Sequence, residues 1–285
     1  MGRVDTEVSR CRPLLGTYVE ISASAHSLPP ERVAAAVTAA FAAVAKVQRL
    51  MSFHDPLSDL GRINHLAEGQ CTSVHPWTWA LLQHARDIHD ASGGLFDCGV
   101  GAQLVEWDLL PRHPRAEIGD AAAAGQSLVR LTDNNGVTVD APVCLDLGGI
   151  AKGFAVDRAV DVLQTMGVED AIVNAGGDIR VLGAERPICL RHPADASTVL
   201  HVGTLADGAI ATSSPAFSSQ RLGSGREVCG LVDPMTRAPI NYPRSYSVVA
   251  PDCATADALT KVLAAGAPAD SLVFRRYGAQ AIVLQ

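Results

Sequence analysis

Apolar residues return every three or four positions after Pro29-Pro30-Glu31: Val33, Val37, Phe41, Val44 and Val47 fall on one face of a helix. Proline at the first turn suits that start, because the N–H it lacks would have no partner there. Ahead of the helix, Thr17 to Ser22 reads as a short strand; behind it come a turn (Met51-Ser52-Phe53-His54-Asp55-Pro56) and a short polar helix from Ser58 to Leu66. The pattern predicts another helix from Pro76 to Ala91, stopped by Gly93-Gly94, and then a loop-rich stretch from Phe96-Asp97 to Trp107. From Val129 onward the period shortens. Strands are expected at 129–131, 137–139 and 143–145, a helix at 153–166, and a hairpin from Asp170 to Leu182 broken by Gly176-Gly177. Further strands at 199–203, 228–232 and 245–250, a helix at 254–265 and a closing strand near 280 complete the reading. Helices and strands alternate without a regular βαβ rhythm, and no repeat or linker interrupts them. The expectation is an α+β fold of mixed sheets and packed helices, in one domain or two tightly joined lobes.

Residues 146 to 158 carry the densest chemistry. Asp146 closes the apolar run Val143, Cys144 and Leu145; Gly148 and Gly149 let a ligand come close to the backbone; and Lys152 stands where the next helix begins. A helix start offers unpaired N–H groups and the positive end of a dipole, so the segment is laid out for an anion such as phosphate. A Gly-Gly turn is also a common strand-to-helix connection, and Lys152 as a solvated side chain is the plain alternative. The loop alone does not decide between them.

Composition narrows the field. With 285 residues, 48% hydrophobic and 19% charged, the chain has the makings of an ordinary folded core. Twenty-three Lys and Arg against thirty Asp and Glu give a formal charge of −7, with no basic stripe for nucleic acid. The seven cysteines are scattered singly, without the close pairs of a zinc or dithiol site, which fits a reducing compartment. The first residues lack an apolar leader and no stretch reads as a membrane span, so a cytoplasmic location is expected. Hydrolase elbow, Walker and His-Glu-x-x-His patterns do not occur, and His84 and His89 read as surface residues on one helix.

Taken in order, the motifs form a set: Leu15-Gly16-Thr17, Met51 to Asp55, Gly94-Leu95-Phe96-Asp97, Asp146 to Asp157, Asn174-Ala175-Gly176-Gly177-Asp178, Ala211-Thr212-Ser213-Ser214, Val232-Asp233-Pro234-Met235-Thr236, and Ser247-Val248 followed by Ala256-Asp257-Ala258-Leu259. The set resembles the ApbE family of flavin transferases, the FAD:protein FMN transferases, over nearly the whole chain. The resemblance implies a T-fold-like architecture and a magnesium-dependent cleavage of FAD at its pyrophosphate. FMN passes to a Thr hydroxyl of an acceptor flavoprotein and AMP is released, or FAD is hydrolysed to FMN and AMP; a non-catalytic FAD-binding protein is the alternative. It further implies that Asp146 and Lys152 contact FAD, with Phe53, the stretch Trp107, Asp108 and Leu109, and Leu231 as other contact positions. The Gly149 carbonyl and Asp257 would ligate Mg2+. Asp97, Asp178 and Asp233, next to glycine or proline, read as turn-closing carboxylates.

Two departures touch the chemistry. Cys229 and Gly230 stand where family members carry histidine, which removes a group titrating near neutrality; Cys229 itself reads as a small core residue. Lys261 stands at the family's final Thr position, four residues after Asp257, where an ammonium cannot ligate a metal but pairs well with the carboxylate. Thr260, on nearly the same face, is the candidate for a shifted ligand set.

Overall fold

Two nine-residue strands, β1 (Thr6–Leu14) and β2 (Thr17–Ala25), open the chain as a hairpin whose turn is Leu15-Gly16, both with positive φ (57° and 70°). A two-residue turn that follows the twist of its strands requires that conformation at both positions, and Leu15 is held in it by the Gln48 side chain, which accepts its N–H at 2.6 Å. The computed structural model describes residues 6–112, 125–217, 219–223 and 225–285. Residues 1–5, which the expectation about a leader concerned, lie outside the described residues.

Then follow α1 (Pro30–Met51), α2 (Asp59–Asn64), β3 (Cys71–Ser73), α3 (Pro76–Ala91), α4 (Gly101–Glu106), β4 (Val129–Thr132) and β5 (Gly136–Val139). The second half runs α5 (Ala151–Thr165), β6 (Asp170–Ala175), β7 (Asp178–Leu182), β8 (Arg186–His192), β9 (Asp195–Leu205), β10 (Gly208–Ser213), β11 (Gln220–Arg221), β12 (Glu227–Val228), β13 (Ser245–Ala250), α6 (Cys253–Ala264), α7 (Leu272–Arg276) and β14 (Gln280–Leu284). Seven strands form the main sheet in the order β1-β2-β6-β7-β10-β13-β14. Every pairing in it is antiparallel, so the expected mixed sheet is instead a uniform one. A small sheet, β3-β5-β4, stands apart from it.

Alternation explains how the main sheet is covered. Val19, Ile21, Ala23 and Ala25 of β2 are buried while Tyr18 and Glu20 on either side of Val19 are exposed, and the buried side joins the core formed with α1, α5 and α6. Helix α1 is long and apolar enough to cross a membrane, with a mean hydropathy of 1.4, which the sequence reading did not anticipate; its stripe from Val33 to Val47 is packed into this core. Toward the far end of the sheet, the β8–β9 hairpin lays Ile188 and Leu190 against Ile210 in a separate cluster. Residues 253 to 260 of α6 are all buried, making it the central helix.

Several sequence expectations are corrected. Residues 143–145 are not a strand: their neighbours are the side chain of Asn64, which both donates to the Leu145 carbonyl (2.9 Å) and accepts its N–H (2.8 Å), and a 3-10 turn at Cys98–Val100. The supposed loop before Trp107 contains that turn and α4. Strand β1 went unread because it is an edge strand with mostly exposed positions, so it shows no apolar alternation. His84 and His89 are half-buried; His84 bonds to Thr255 at 3.0 Å and His89 to the Phe96 carbonyl at 2.8 Å.

Candidate functional site

Helices α5 and α6 cross with almost no space between them. A Cβ on Gly153 would lie 2.2 Å from the Cys253 carbonyl oxygen, so only glycine permits this approach. The crossing is fixed by reciprocal caps. Asp157 of α5 accepts the first two N–H groups of α6, from Cys253 (2.8 Å) and Ala254 (2.9 Å), and pairs with Arg180 at 2.7 Å. Asp257 of α6 accepts the Gly153 N–H of α5 at 3.1 Å. Each carboxylate thus satisfies donors that a helix start leaves without a partner.

That arrangement modifies the anion-binding plan read from the sequence. The N–H groups of Ile150 and Ala151 bond to the Leu147 carbonyl (3.0 and 2.8 Å), Gly148 N–H bonds to Asp146 (3.1 Å), and Gly153 N–H is taken by Asp257. Most of the expected donors are engaged within the protein, and positive charge at this end of α5 comes chiefly from lysine ammonium groups.

Four charged side chains meet here. Lys152 forms a short ion pair with Asp178 and lies 3.7 Å from Asp257; Lys261 forms a short ion pair with Asp257. Both aspartates are buried, whereas the lysine side chains are 33% and 20% exposed and line the adjoining cavity. Burial pulls the Lys152 pKa down, but Asp178 and Asp257 outweigh it and the net direction is up. Burial drives Asp257 up, yet the two ammonium groups and the Gly153 N–H overcome this and hold it below the usual carboxylate range. Asp178 moves the other way, raised by burial and by repulsion from Asp257. Read from sequence as a turn residue, Asp178 is in fact the partner of Lys152; only the fold brings β7 beside α5. Asp233 does close a turn, accepting from Met235 and Thr236.

The cluster lies at the wall of a cavity of about 630 Å³ lined by Phe53, Phe96, Asp146, Gly149, Lys152 and Lys261 among others. Of the sequence-derived positions, Phe53, Leu109, Asp146, Gly149, Lys152 and Lys261 line it. Trp107 and Asp108 do not: Trp107 is packed with Leu104, Val228 and Val232, and Asp108, with a positive φ of 55°, faces solvent near Arg112. Leu231 is core, although its neighbours Gly230 and Val232 line the cavity. Cys229 is fully buried, its thiol 3.2 Å from the Ile240 carbonyl and its pKa raised by burial, as befits a core residue. His54, Phe96 and Asp97 also line the cavity; they lie within motifs read in the sequence, but nothing there distinguished them as ligand contacts. Burial raises the Asp146 pKa, opposed by the Gly148 N–H and by the charges of Lys261, His54 and Lys152.

The donor set does not fit a divalent metal. One Asp257 oxygen is taken by Lys261 and the other by Gly153 N–H, with a second ammonium at 3.7 Å. Thr260 is buried, its hydroxyl engaged with Ser213 and the Asp257 carbonyl at 2.7 Å each. Among the described residues no group of three or more His, Cys, Asp or Glu is placed to hold a metal ion.

Comparison with known proteins agrees with this architecture. The ApbE family model matches residues 15–283. The FAD:protein FMN transferase of Rhodobacter capsulatus is 31% identical over 270 residues, covering 90% of this chain and 51% of that protein. Its counterpart in Vibrio cholerae is 30% identical over 228 residues, covering 75% of this chain and 68% of that one. The chain therefore spans about half the length of the first and about two thirds of the second. Among solved structures, the ApbE protein of Thermotoga maritima superposes with a TM-score of 0.81 at 28% identity, covering 97% of this chain and 94% of that one. The Vibrio cholerae flavin transferase ApbE shares the fold, with a TM-score of 0.80 at 24% identity over 98% of this chain and 94% of that one. With the matched residues running almost from end to end, the chain belongs to the ApbE family.

Proposed function

We propose that the cavity binds FAD and that the protein transfers the FMN half to a threonine hydroxyl of an acceptor flavoprotein, releasing AMP. The observation that carries this reading is the meeting of Lys152 and Lys261 with the aromatic side chains of Phe53 and Phe96 in the lining of one cavity of a family member. Cationic groups suit a pyrophosphate and flat apolar walls suit a ring system. In the reaction, the hydroxyl oxygen attacks the phosphorus on the FMN side, the bridging P–O bond breaks, AMP departs with the bridging oxygen, and the hydroxyl proton passes to a base. Lys152 and Lys261 would offset charge on the phosphates, and Asp146, held by the Gly148 N–H, would turn its other oxygen to the ligand. Such a transfer depends on positioning and charge neutralisation more than on a protein nucleophile.

Hydrolysis is the second reading, and Gly230 favours it. A Cβ there would meet nothing within 4 Å, so the cavity wall is open at the position where relatives were expected to carry an imidazole. Water in place of threonine gives FMN and AMP by the same displacement. Calorimetric titration with FAD, followed by chromatography of the products with and without a threonine-containing acceptor peptide, separates the readings. Lys152→Ala should weaken FAD binding roughly tenfold or more, because a charge-assisted hydrogen bond contributes about 1.5–3 kcal/mol. Equal affinities for wild type and variant would contradict the site; FAD recovered intact would leave binding without catalysis.

A further inference from the structure

Lys261 fills the place where the family resemblance would put a metal. Its ammonium bonds to the Asp257 carboxylate and, at 3.0 Å, to the Asp257 carbonyl oxygen, while its stem passes over Gly149, with Cε 3.5 Å from where a Cβ on that glycine would be. Of the groups that the family resemblance assigns to a magnesium site, Asp257 therefore holds the Lys261 ammonium, the Gly149 backbone lies against the Lys261 stem, and Lys261 itself occupies the third position. We propose that Lys261 is the resident cation of this site and that, with Lys152, it holds the pyrophosphate of FAD without a divalent metal. This inference rests on the FAD reading above.

Three physical points support it. Asp257 precedes Lys261 by four residues on α6, the orientation in which such a pair is favourable. A divalent ion approaching Asp257 would meet two ammonium groups, one in contact and one 3.7 Å away, and would have to displace the first before gaining a ligand. The alternative hydroxyl, Thr260, is turned toward Ser213 on β10 and away from the cavity lining. A tethered ammonium supplies less charge than a divalent ion but does not dissociate, so its effect is independent of metal concentration.

The test is FAD titration of wild type, Lys261→Thr and Lys261→Arg, each in excess EDTA and in excess magnesium, with Mn2+ titration of the FAD-free proteins followed by electron paramagnetic resonance. Wild type and Lys261→Arg should bind FAD equally in EDTA and magnesium. Lys261→Thr should lose roughly tenfold or more in EDTA and regain affinity with magnesium, and it alone should take up Mn2+. Stoichiometric Mn2+ uptake by wild type, a magnesium requirement for its FAD binding, or full affinity of Lys261→Thr in EDTA would each overturn the inference. If no protein binds FAD in either condition, the FAD reading fails instead, and the Mn2+ titration still decides whether Lys261 excludes a divalent ion.

Discussion

Two single residues set the character of the site, one by absence and one by burial. Gly230 leaves open a stretch of cavity wall, and the Cβ of Gly230→His would meet nothing within 4 Å. If that imidazole acts in proton transfer, the variant should raise FMN transfer to an acceptor peptide by about 10²-fold or more with little change in FAD affinity; an unchanged rate would show the position to be dispensable. Asp157, only 3% exposed, has its pKa pushed up to about 6 by burial, against the opposing charge of Arg180 and two backbone N–H groups. A carboxyl raised in the folded state above its unfolded value near 3.8 stabilises most below that value, and the contribution is lost as pH rises through about 6. Wild type should therefore lose stability relative to Asp157→Asn between about pH 4 and pH 6, by up to about 3 kcal/mol, and show no further relative change above pH 7 in urea melts. The missing imidazole at Gly230 was legible in the sequence; the role of Asp157 was not. Asp157 lies inside a helical run, and only the crossing of α5 and α6 gives it a partner.

Elements with a buried face were legible and exposed or side-chain-supported ones were not. The stripe of α1, the start of α3 and the run of α5 follow from apolar period and punctuation, because each packs one side into the core. Residues 143–145 deceived, since an amide side chain imitates a neighbouring strand. The loop from Asp146 to Lys152 was found by its residue types, yet its charge partners arrive from β7 and α6, which no local pattern connects to it. At this scale the tightest demand is the α5–α6 contact. Gly153→Ala would place a methyl 2.2 Å from the Cys253 carbonyl oxygen, and the backbone of one helix must move to relieve it. Overpacking of this kind costs about 1–3 kcal/mol, so the variant should melt below wild type and also bind FAD more weakly, since Lys152 and Lys261 are carried by those two helices. Calorimetric melting and FAD titration of the same preparation check both effects.

For the whole molecule, FAD binding and folding are linked. A ligand that binds only the native state at a hundredfold excess over its Kd adds about 2.7 kcal/mol, so thermal scans with increasing FAD should move the melting temperature upward and AMP alone should move it less. The reciprocal caps give that linkage a location. Asp157 and Asp257 satisfy helix starts deep in the core, while the same crossing presents Lys152 and Lys261 to the cavity. The amides of Gly153, Cys253 and Ala254 should consequently exchange with deuterium only through global opening, while that of Gly148, bonded to the half-buried Asp146, exchanges through local motion. The phosphates of a bound dinucleotide would then rest beside the part of the chain that opens last, as on an anvil. A change that shifts the crossing itself, such as one at Gly153, is then felt in the fold and in the grip on the phosphates together, whereas a change at the tip of a lysine alters the grip alone.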